Sequence, residues 1–473
     1  MGNLVKKVVV IGGGITGLSA AYYAMKECEK QQIPIEITII EKSNNLGGKI
    51  QTIHRDNFTI ERGPESFLAR KQPIMNLIKD LNLEGELIST NPNARTNYIL
   101  QKGKLHKMPP GLMLGIPTQL TPFIKTGLIS PKGKMRAAMD LCLPRKKTIE
   151  DESLGHFIER RLGKEVLDYI TEPLLGGIYA GDTHFLSLQA TFPHFSEMEQ
   201  SHRSLILGML ANKAKATKKE ELPASTQKST FLTFKNGMDT LIEQLEVSLQ
   251  SVNTVKGNEV KKVVLNGHGY GVELDNGEQI YADGVIMALP TFQAARLLAG
   301  ITSLDWLNEI NYVSVANIGL AFDKKDIAFN LNGSGYVTPR KEGRTLTACT
   351  WSSSKWFHTA PTDKVLLRCY VGRGGSEDWV HLTDEQLLEK VLKDLEEIMG
   401  ITAKPIFHVI TKLHRSMPQY PVKHVEQLKK TRQLLQMKAP GIYLCGAGYE
   451  GVGVPDCIQQ GKFASEKMLA FLK

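Results

Sequence analysis

The residues best placed to do chemistry stand together near the start of the 473-residue chain, in the run Val8-Val9-Val10-Ile11-Gly12-Gly13-Gly14-Ile15-Thr16-Gly17. A glycine cluster between an apolar run and a helix-forming segment, Leu18 to Ala24, does its chemistry with backbone rather than side chains. Gly12 permits the tight turn, Gly14 lets the main chain approach a pyrophosphate, and Gly17 allows close helix–strand packing. The N–H groups that open the helix then face the phosphates, so Gly13, Ile15 and Thr16 belong to the same expected cradle. Glu41 ends a second strand-like run, Ile35 to Ile40, 27 residues beyond Gly14. A carboxylate there accepts from a ribose 2′-OH and repels a 2′-phosphate, which disfavours NADP. The alternative for Glu41 is a solvated glutamate at a strand end.

Lys42 leads into a second glycine loop, Gly47-Gly48-Lys49, whose small residues let it too lie close to a cofactor. Arg62-Gly63-Pro64-Glu65-Ser66-Phe67 follows a short hairpin, Gln51 to His54 with Phe58 to Glu61, and reads locally as a turn. Near the other end, Gly441-Ile442-Tyr443-Leu444 is a buried strand. It leads into Gly446 to Gly453 and a helix with Pro455 in its first turn, a second anion-stabilising geometry. Such a helix end favours negative charge, which adds Gly451, Val452, Gly453 and Val454 to the expected site. Between these lies Pro173 to Asp182, with Leu174-Leu175-Gly176-Gly177-Ile178-Tyr179-Ala180-Gly181 at its centre, read as a buried turn held close to something flat or bulky. Lys71 is a candidate carboxylate anchor, with a plain surface lysine as the alternative.

Other chemistries find little support. No Ser/His/Asp or paired-carboxylate arrangement is evident, and His156, His194 and His202 lack ligand spacing. Six cysteines without a C-x-x-C pair fit reduced thiols and no metal site. Hydrophobic content of 42% and charged content of 23% exclude a disordered chain. No long charge-free apolar stretch suggests a spanning helix, and the nucleotide strand begins too early to leave room for a signal peptide, so a cytoplasmic protein is expected. The net charge of +9 favours an anionic partner. No reader motif or basic-aromatic cluster supports nucleic acid, and Lys213 to Lys219 reads as the start of a solvated polar loop reaching Lys228.

The elements that position these residues are read from periodicity. Ile74, Leu77, Ile78 and Leu81 mark an amphipathic helix, and Ser153 to Gly163 reads as a helix with Ser153 as N-cap and Gly163 as its stop. A second helix is expected from about Glu165 to Ile170. Tyr98 to Lys107 suggests a hairpin, and Asp239 to Leu249 and Leu387 to Met399 suggest helices. Val313 to Phe322, Thr345 to Trp351 and Val365 to Val371 suggest an antiparallel sheet, with Trp351, Trp356 and Phe357 as packing residues. Met108 to Lys147 carries too many prolines for one long helix. Two readings stay open for it: a lobe packed within the protein, or a basic and apolar face for a membrane or a partner.

Taken together, E-x5-G-G-K after Glu41, R-G-P-E-S-F, L-L-G-G-I-Y-A-G-D, D-x-V-I-x-A-x-P at Asp283 to Pro290 and G-A-G-Y-E-G-V-G-V-P-D-C resemble the coproporphyrinogen III and protoporphyrinogen oxidase family of Gram-positive bacterial type, within the flavin amine oxidase superfamily. The resemblance covers essentially the whole chain. It implies FAD, with Gly63, Pro64, Glu65 and Ser66 passing its flavin side and Val260 meeting the adenine. It implies that Gly177, Ile178 and Tyr179 line a tetrapyrrole pocket. The implied reaction is oxygen-dependent six-electron oxidation of coproporphyrinogen III with release of hydrogen peroxide, and ferrochelatase is a conceivable partner. Protoporphyrinogen IX oxidase is the runner-up, followed by a general amine oxidase and a non-redox scaffold like the GDP-dissociation inhibitors. The implied fold is α/β with added α+β lobes. A Rossmann-like FAD domain is expected from 1–90, 229–300 and 405–473, a substrate lobe with an antiparallel sheet from 301–404 with 171–200, and a mostly helical lobe from 91–170 and 201–228.

Overall fold

The computed structural model describes residues 5–113, 115–147, 150–215 and 229–473. Its organising layer is a five-stranded parallel sheet in the order Asn253–Lys256, Ile35–Glu41, Lys6–Ile11, Gly284–Met287 and Ile442–Leu444. Val8 lies opposite Ile37 on one side and Gly284 on the other, and Val285 opposite Ile442. The first strand is apolar throughout its second half because both faces are covered: Val8 and Val10 join one core cluster, Val9 and Ile11 another. Helix Ile15–Gln31 and the C-terminal helix Val454–Leu472 pack in the first of these clusters. Gly461 is what lets the two helices close up, since a Cβ there would sit 2.3 Å from the Thr16 carbonyl oxygen.

A seven-stranded sheet forms the second layer, in the order Phe407–Pro418, Tyr312–Asp323, Lys364–Val371, Leu346–Trp351, Gly335–Val337, Asn97–Gln101 and Lys104–Lys107. All its pairings are antiparallel except that of Gly335–Val337 with Asn97–Gln101. The hairpin 97–107, expected with the helical lobe, therefore extends this sheet, because its edge pairs with residues more than 230 positions away, Tyr336 opposite Tyr98. Helix Asp384–Met399 carries a capping box at Thr383 and Gln386 and buries Leu387, Val391 and Leu395 against the sheet.

The helical region is built of short pieces, Leu120–Lys125, Pro131–Ala138 and Leu154–Leu162 among them, as its prolines dictate. Ser153 caps the last of these by accepting from the His156 N–H, and Gly163 ends it with φ +90°. The second helix is short, Lys164–Val166, and passes through a π-helical turn, Leu167–Thr171, into a further helix, Glu172–Tyr179. The segment read as a glycine-rich turn is thus helical. Pro173 sits in its first turn, where a missing N–H costs nothing, and Ala180 closes it in the left-handed conformation. Trp351 and Trp356 are buried, at 0% and 2%, whereas Phe357 is 71% exposed and packs nothing. Helix Leu205–Lys215 takes up the start of the polar stretch expected as a loop, and residues 216–228 lie outside the described ones.

Candidate active site

The first glycine turn is built as its residue types require. Gly12 has φ +105°, and a Cβ there would lie 2.5 Å from the Ala288 carbonyl oxygen, while one at Gly17 would lie 1.9 Å from the Gly12 oxygen. Gly14 differs: its missing Cβ would meet only Gly48 Cα, at 4.0 Å. It is the N-cap of a helix that has no side-chain cap hydrogen bond and no acidic residue in its first turn, and it packs closely on Gly48, where an added Cβ would lie 3.2 Å from Gly14 Cα. Uncapped N–H groups at such a helix start suit a pyrophosphate. The second glycine loop lies directly opposite, joined through Gly47 N–H donating to Gly13 O at 2.8 Å. Glu41 spans the two loops by accepting from Gly13 N–H at 2.7 Å and Ser43 N–H at 2.9 Å. Gly257 N–H and Asn258 N–H donate to the Ser43 and Glu41 carbonyls, which places Val260 beside the same strand end. Lys42 is exposed there.

Lys49 is enclosed by protein yet borders open space, as a side chain lining an interior cleft does. Burial lowers its ammonium pKa, and it donates to the Ser416 carbonyl. Behind it stands Gly63, where a Cβ would lie 1.7 Å from the Lys49 oxygen, so glycine is obligatory at this crossing of two loops.

The loop 61–65 is held from the far side by Arg368, 4% exposed on strand Lys364–Val371. Its Nε donates to Asn317 Oδ1 at 3.0 Å, Nη1 to Glu65 Oε2 at 3.3 Å, and Nη2 to the Gly63 carbonyl. Lys355 donates to the other Glu65 oxygen. Burial alone would raise the Glu65 carboxyl, but Lys355 and Arg368 outweigh it and hold it at about 2. Pro64 and Ser66 flank this anchor, half-buried. Glu61 shows the opposite balance. Its burial pushes it to about 7 despite the Met238 N–H at 2.7 Å and the Thr52 hydroxyl at 3.0 Å. The expected cofactor residue Glu65 is therefore placed as the counterion that ties its loop to the seven-stranded sheet.

The C-terminal turn meets this assembly. Gly453 is the N-cap of Val454–Leu472 and again provides no side-chain cap. Gly451, with φ +91°, and Gly453 fold around Asp456, where added Cβ atoms would come within 2.7 Å and 2.9 Å of its side chain. Lys71 Nζ donates to Asp456 Oδ1 at 2.7 Å, which ties Lys71 to the turn rather than leaving it loose on the surface. Val452 packs on Tyr179, Leu186 and Tyr420. The Tyr179 ring sets its edge toward Tyr420 at 6.2 Å, and Gln419 Nε2 donates to the Tyr179 carbonyl at 2.9 Å. Gly177 and Ile178, next to Tyr179, are exposed, and a Cβ on Gly176 or Gly177 would meet nothing within 4 Å. Helix Glu172–Tyr179 thus offers a flat open face beside the C-terminal glycine turn.

Several residues that shape the site carried no readable spacing. Gln460 accepts from Gly446 N–H at 3.1 Å and donates to the Glu450 carbonyl at 2.7 Å, bracing the glycine-rich turn from inside its own helix. Tyr420 OH donates to Ala447 O, and buried His424 donates from Nε2 to Tyr449 O at 2.7 Å. Arg432 forks onto Glu450 through two contacts of 2.7 Å. With Arg368, these lie far in sequence from what they hold, and only Gln460 occurs within a motif-bearing helix.

Comparison with known proteins follows this geometry. The family described as flavin containing amine oxidoreductase matches residues 15–469. A coproporphyrinogen III oxidase of Bacillus subtilis (strain 168) is 45% identical over 99% of this chain and 98% of its own length. That of Staphylococcus aureus (strain NCTC 8325 / PS 47) is 40% identical over 99% and 100%. A solved structure from Exiguobacterium sp. 255-15 superposes with a TM-score of 0.87 at 36% identity, covering 99% of both chains. Two glycine turns at uncapped helix starts are built from opposite ends of the chain onto one parallel sheet, and the chain belongs to the flavin containing amine oxidoreductase family.

Proposed function

We propose that this protein is an FAD-dependent oxidase that converts coproporphyrinogen III to coproporphyrin III, consuming oxygen and releasing hydrogen peroxide. The observation that carries this reading is the meeting of the open, glycine-faced end of helix Glu172–Tyr179 with the C-terminal glycine turn through Tyr179, Tyr420 and Val452. The names of the two full-length bacterial relatives point the same way.

FAD fits the chain's own geometry. Its pyrophosphate would lie at the uncapped start of helix Ile15–Gln31, over the paired glycines Gly14 and Gly48, its adenosine ribose at Glu41 with Val260 nearby, and its flavin end by Gly63, Lys49 and the turn Gly451 to Val454. When bound, FAD supplies the redox chemistry, taking electrons from the porphyrinogen and passing them to oxygen. The protein contributes position and field. Uncapped N–H groups at Val454–Leu472 favour negative charge at that helix start, and Gly177 and Ile178 would face a macrocycle while the buried Tyr179 ring holds their helix against Tyr420 and Val452. Lys71 offers an ammonium to a propionate. The +9 net charge favours an anionic tetrapyrrole over a neutral one.

Among the described residues no helix is long and apolar enough to cross a membrane. We place the enzyme in the cytoplasm, with Ile124, Met135 and Met139, exposed at 62%, 72% and 50% beside Lys125 and Lys132, as the face for peripheral membrane or ferrochelatase contact. Liposome co-sedimentation of a variant with these three residues changed to serine tests that face.

The deciding experiment supplies the purified protein with coproporphyrinogen III and protoporphyrinogen IX separately and follows porphyrin fluorescence and peroxide. A higher kcat/KM for coproporphyrinogen III is expected. Preference for protoporphyrinogen IX moves the enzyme past decarboxylation, and inactivity on both, or a protein without flavin absorbance, refutes the reading.

A further inference from the structure

Lys71, the cation proposed above as a propionate anchor, is not free. Its ammonium lies 2.7 Å from Asp456 Oδ1, with the two side chains 39% and 31% exposed. Asp456 belongs to the first turn of the C-terminal helix and lies against the glycine turn, where a Cβ added at Gly453 or Gly451 would come within 2.9 Å of its side chain, so only glycine leaves it room. The carboxylate is also close enough to Tyr179 for its charge to add to the burial that raises that phenol. Asp456 is therefore an anion lying at once beside the cation that would hold a propionate and near Tyr179.

Resting on the porphyrinogen reading above, we propose that Asp456 is a specificity-determining counter-anion: it occupies Lys71 in the empty site, competes with each incoming carboxylate for that ammonium, and reclaims it as the porphyrin leaves. The physical ground is electrostatic. A propionate approaching Lys71 alone meets one positive charge, whereas beside Asp456 it meets a neutral pair, and its attraction falls accordingly. Because the pair is half-exposed, the effect is modest and salt-dependent. A tetraanionic product released after each full oxidation benefits from such a competitor, since binding that is uniform across substrate and product slows release without aiding chemistry.

The test uses flavin-loaded protein and coproporphyrin III as the probe, titrated by quenching of its fluorescence at low and high ionic strength. Asp456→Asn keeps the shape and a hydrogen-bond acceptor for Lys71 while removing the charge. Binding should tighten about two- to fivefold at low salt and converge on the wild-type value at high salt. In turnover, KM for coproporphyrinogen III should fall while kcat stays level or drops as release slows. Lys71→Met should weaken binding, and in the Lys71→Met background Asp456→Asn should have no tightening effect left to give. Thermal melts of the apoproteins, read without any activity, report whether either substitution merely loosens the turn. Unchanged or weaker porphyrin binding by Asp456→Asn overturns the proposal, as does tightening that persists without Lys71. A wild-type protein that neither binds coproporphyrin III nor oxidises its porphyrinogen refutes the functional reading itself, a result distinct from a working enzyme indifferent to Asp456.

Discussion

Replacing Arg368 by methionine removes a guanidinium that serves three acceptors at once, Glu65, the Gly63 carbonyl and Asn317. Glu65 is held at about 2 against an ordinary 4.5, a displacement worth about 3 kcal/mol of folding stability when the carboxylate is fully ionised. Breaking one side of a buried ion pair costs about 3–5 kcal/mol in general, because the partner charge stays behind. Lys355 remains to share Glu65 in the variant, which argues for the lower end, while the orphaned Gly63 carbonyl argues against anything smaller. Arg368→Met should therefore lose about 3 kcal/mol in urea unfolding followed by tryptophan fluorescence, and should retain less flavin, since the loop 61–65 loses its tether. The second substitution Glu65→Gln, made on top, should recover part of the loss by removing the anion. The pH dependence has a definite sign: Glu65's folded pKa is depressed, so its contribution is complete above about 4.5 and disappears as pH falls toward about 2. A loss below about 1 kcal/mol, or a double variant no more stable than Arg368→Met, refutes the clamp.

Gly14→Val should fold but fail to retain flavin, because the added methyls cover the uncapped start of helix Ile15–Gln31 and crowd Gly48. Gly17→Ala should instead destabilise the fold, its Cβ landing 1.9 Å from the Gly12 oxygen; visible absorbance and melting temperature separate the two outcomes. Glu61 has a raised folded pKa of about 7, so the folded state keeps a proton that the unfolded chain has released above about 4.5, and stability falls as pH rises through that window. Glu61→Gln should accordingly gain about 3 kcal/mol at pH 8 and little at pH 4 by chemical denaturation. In the helical region Arg161 and Asp140 are both 0% exposed, with Arg161 Nε donating to Asp140 Oδ1 at 2.6 Å, so Arg161→Met should lose about 3–5 kcal/mol, read as a lowered melting temperature.

The strand–turn–helix–strand order was legible because it is local. These elements follow one another within residues 6–41, and Gly12 and Gly17 answer steric demands made by atoms a few positions away or at the end of the adjacent strand. The same holds for Ser153 and Gly163 at the ends of their helix. Glycine content misled at 173–182, where Gly176 and Gly177 suggested a turn. They lie within a helix whose outer face is open, where an added Cβ would meet nothing within 4 Å, so these glycines mark no bend. Phe357 misled in the other direction, since an aromatic residue beside two buried tryptophans lies in solvent.

What the sequence by itself determined is the set of local elements: apolar strands, glycines at their ends, an acidic residue at the end of the second strand and a second glycine turn near the C-terminus. These are short-range requirements, each satisfied by residue type and spacing. Tertiary structure alone decided how the pieces meet. It put Ile442–Leu444 beside Gly284–Met287 in the same sheet as Lys6–Ile11, and ran the hairpin 97–107 along Gly335–Val337. It also set Arg368 behind Gly63, and Lys71 against Asp456. Such pairings depend on which charges and strand edges remain unsatisfied once the core has closed, a property of the packed whole that no local window of sequence contains.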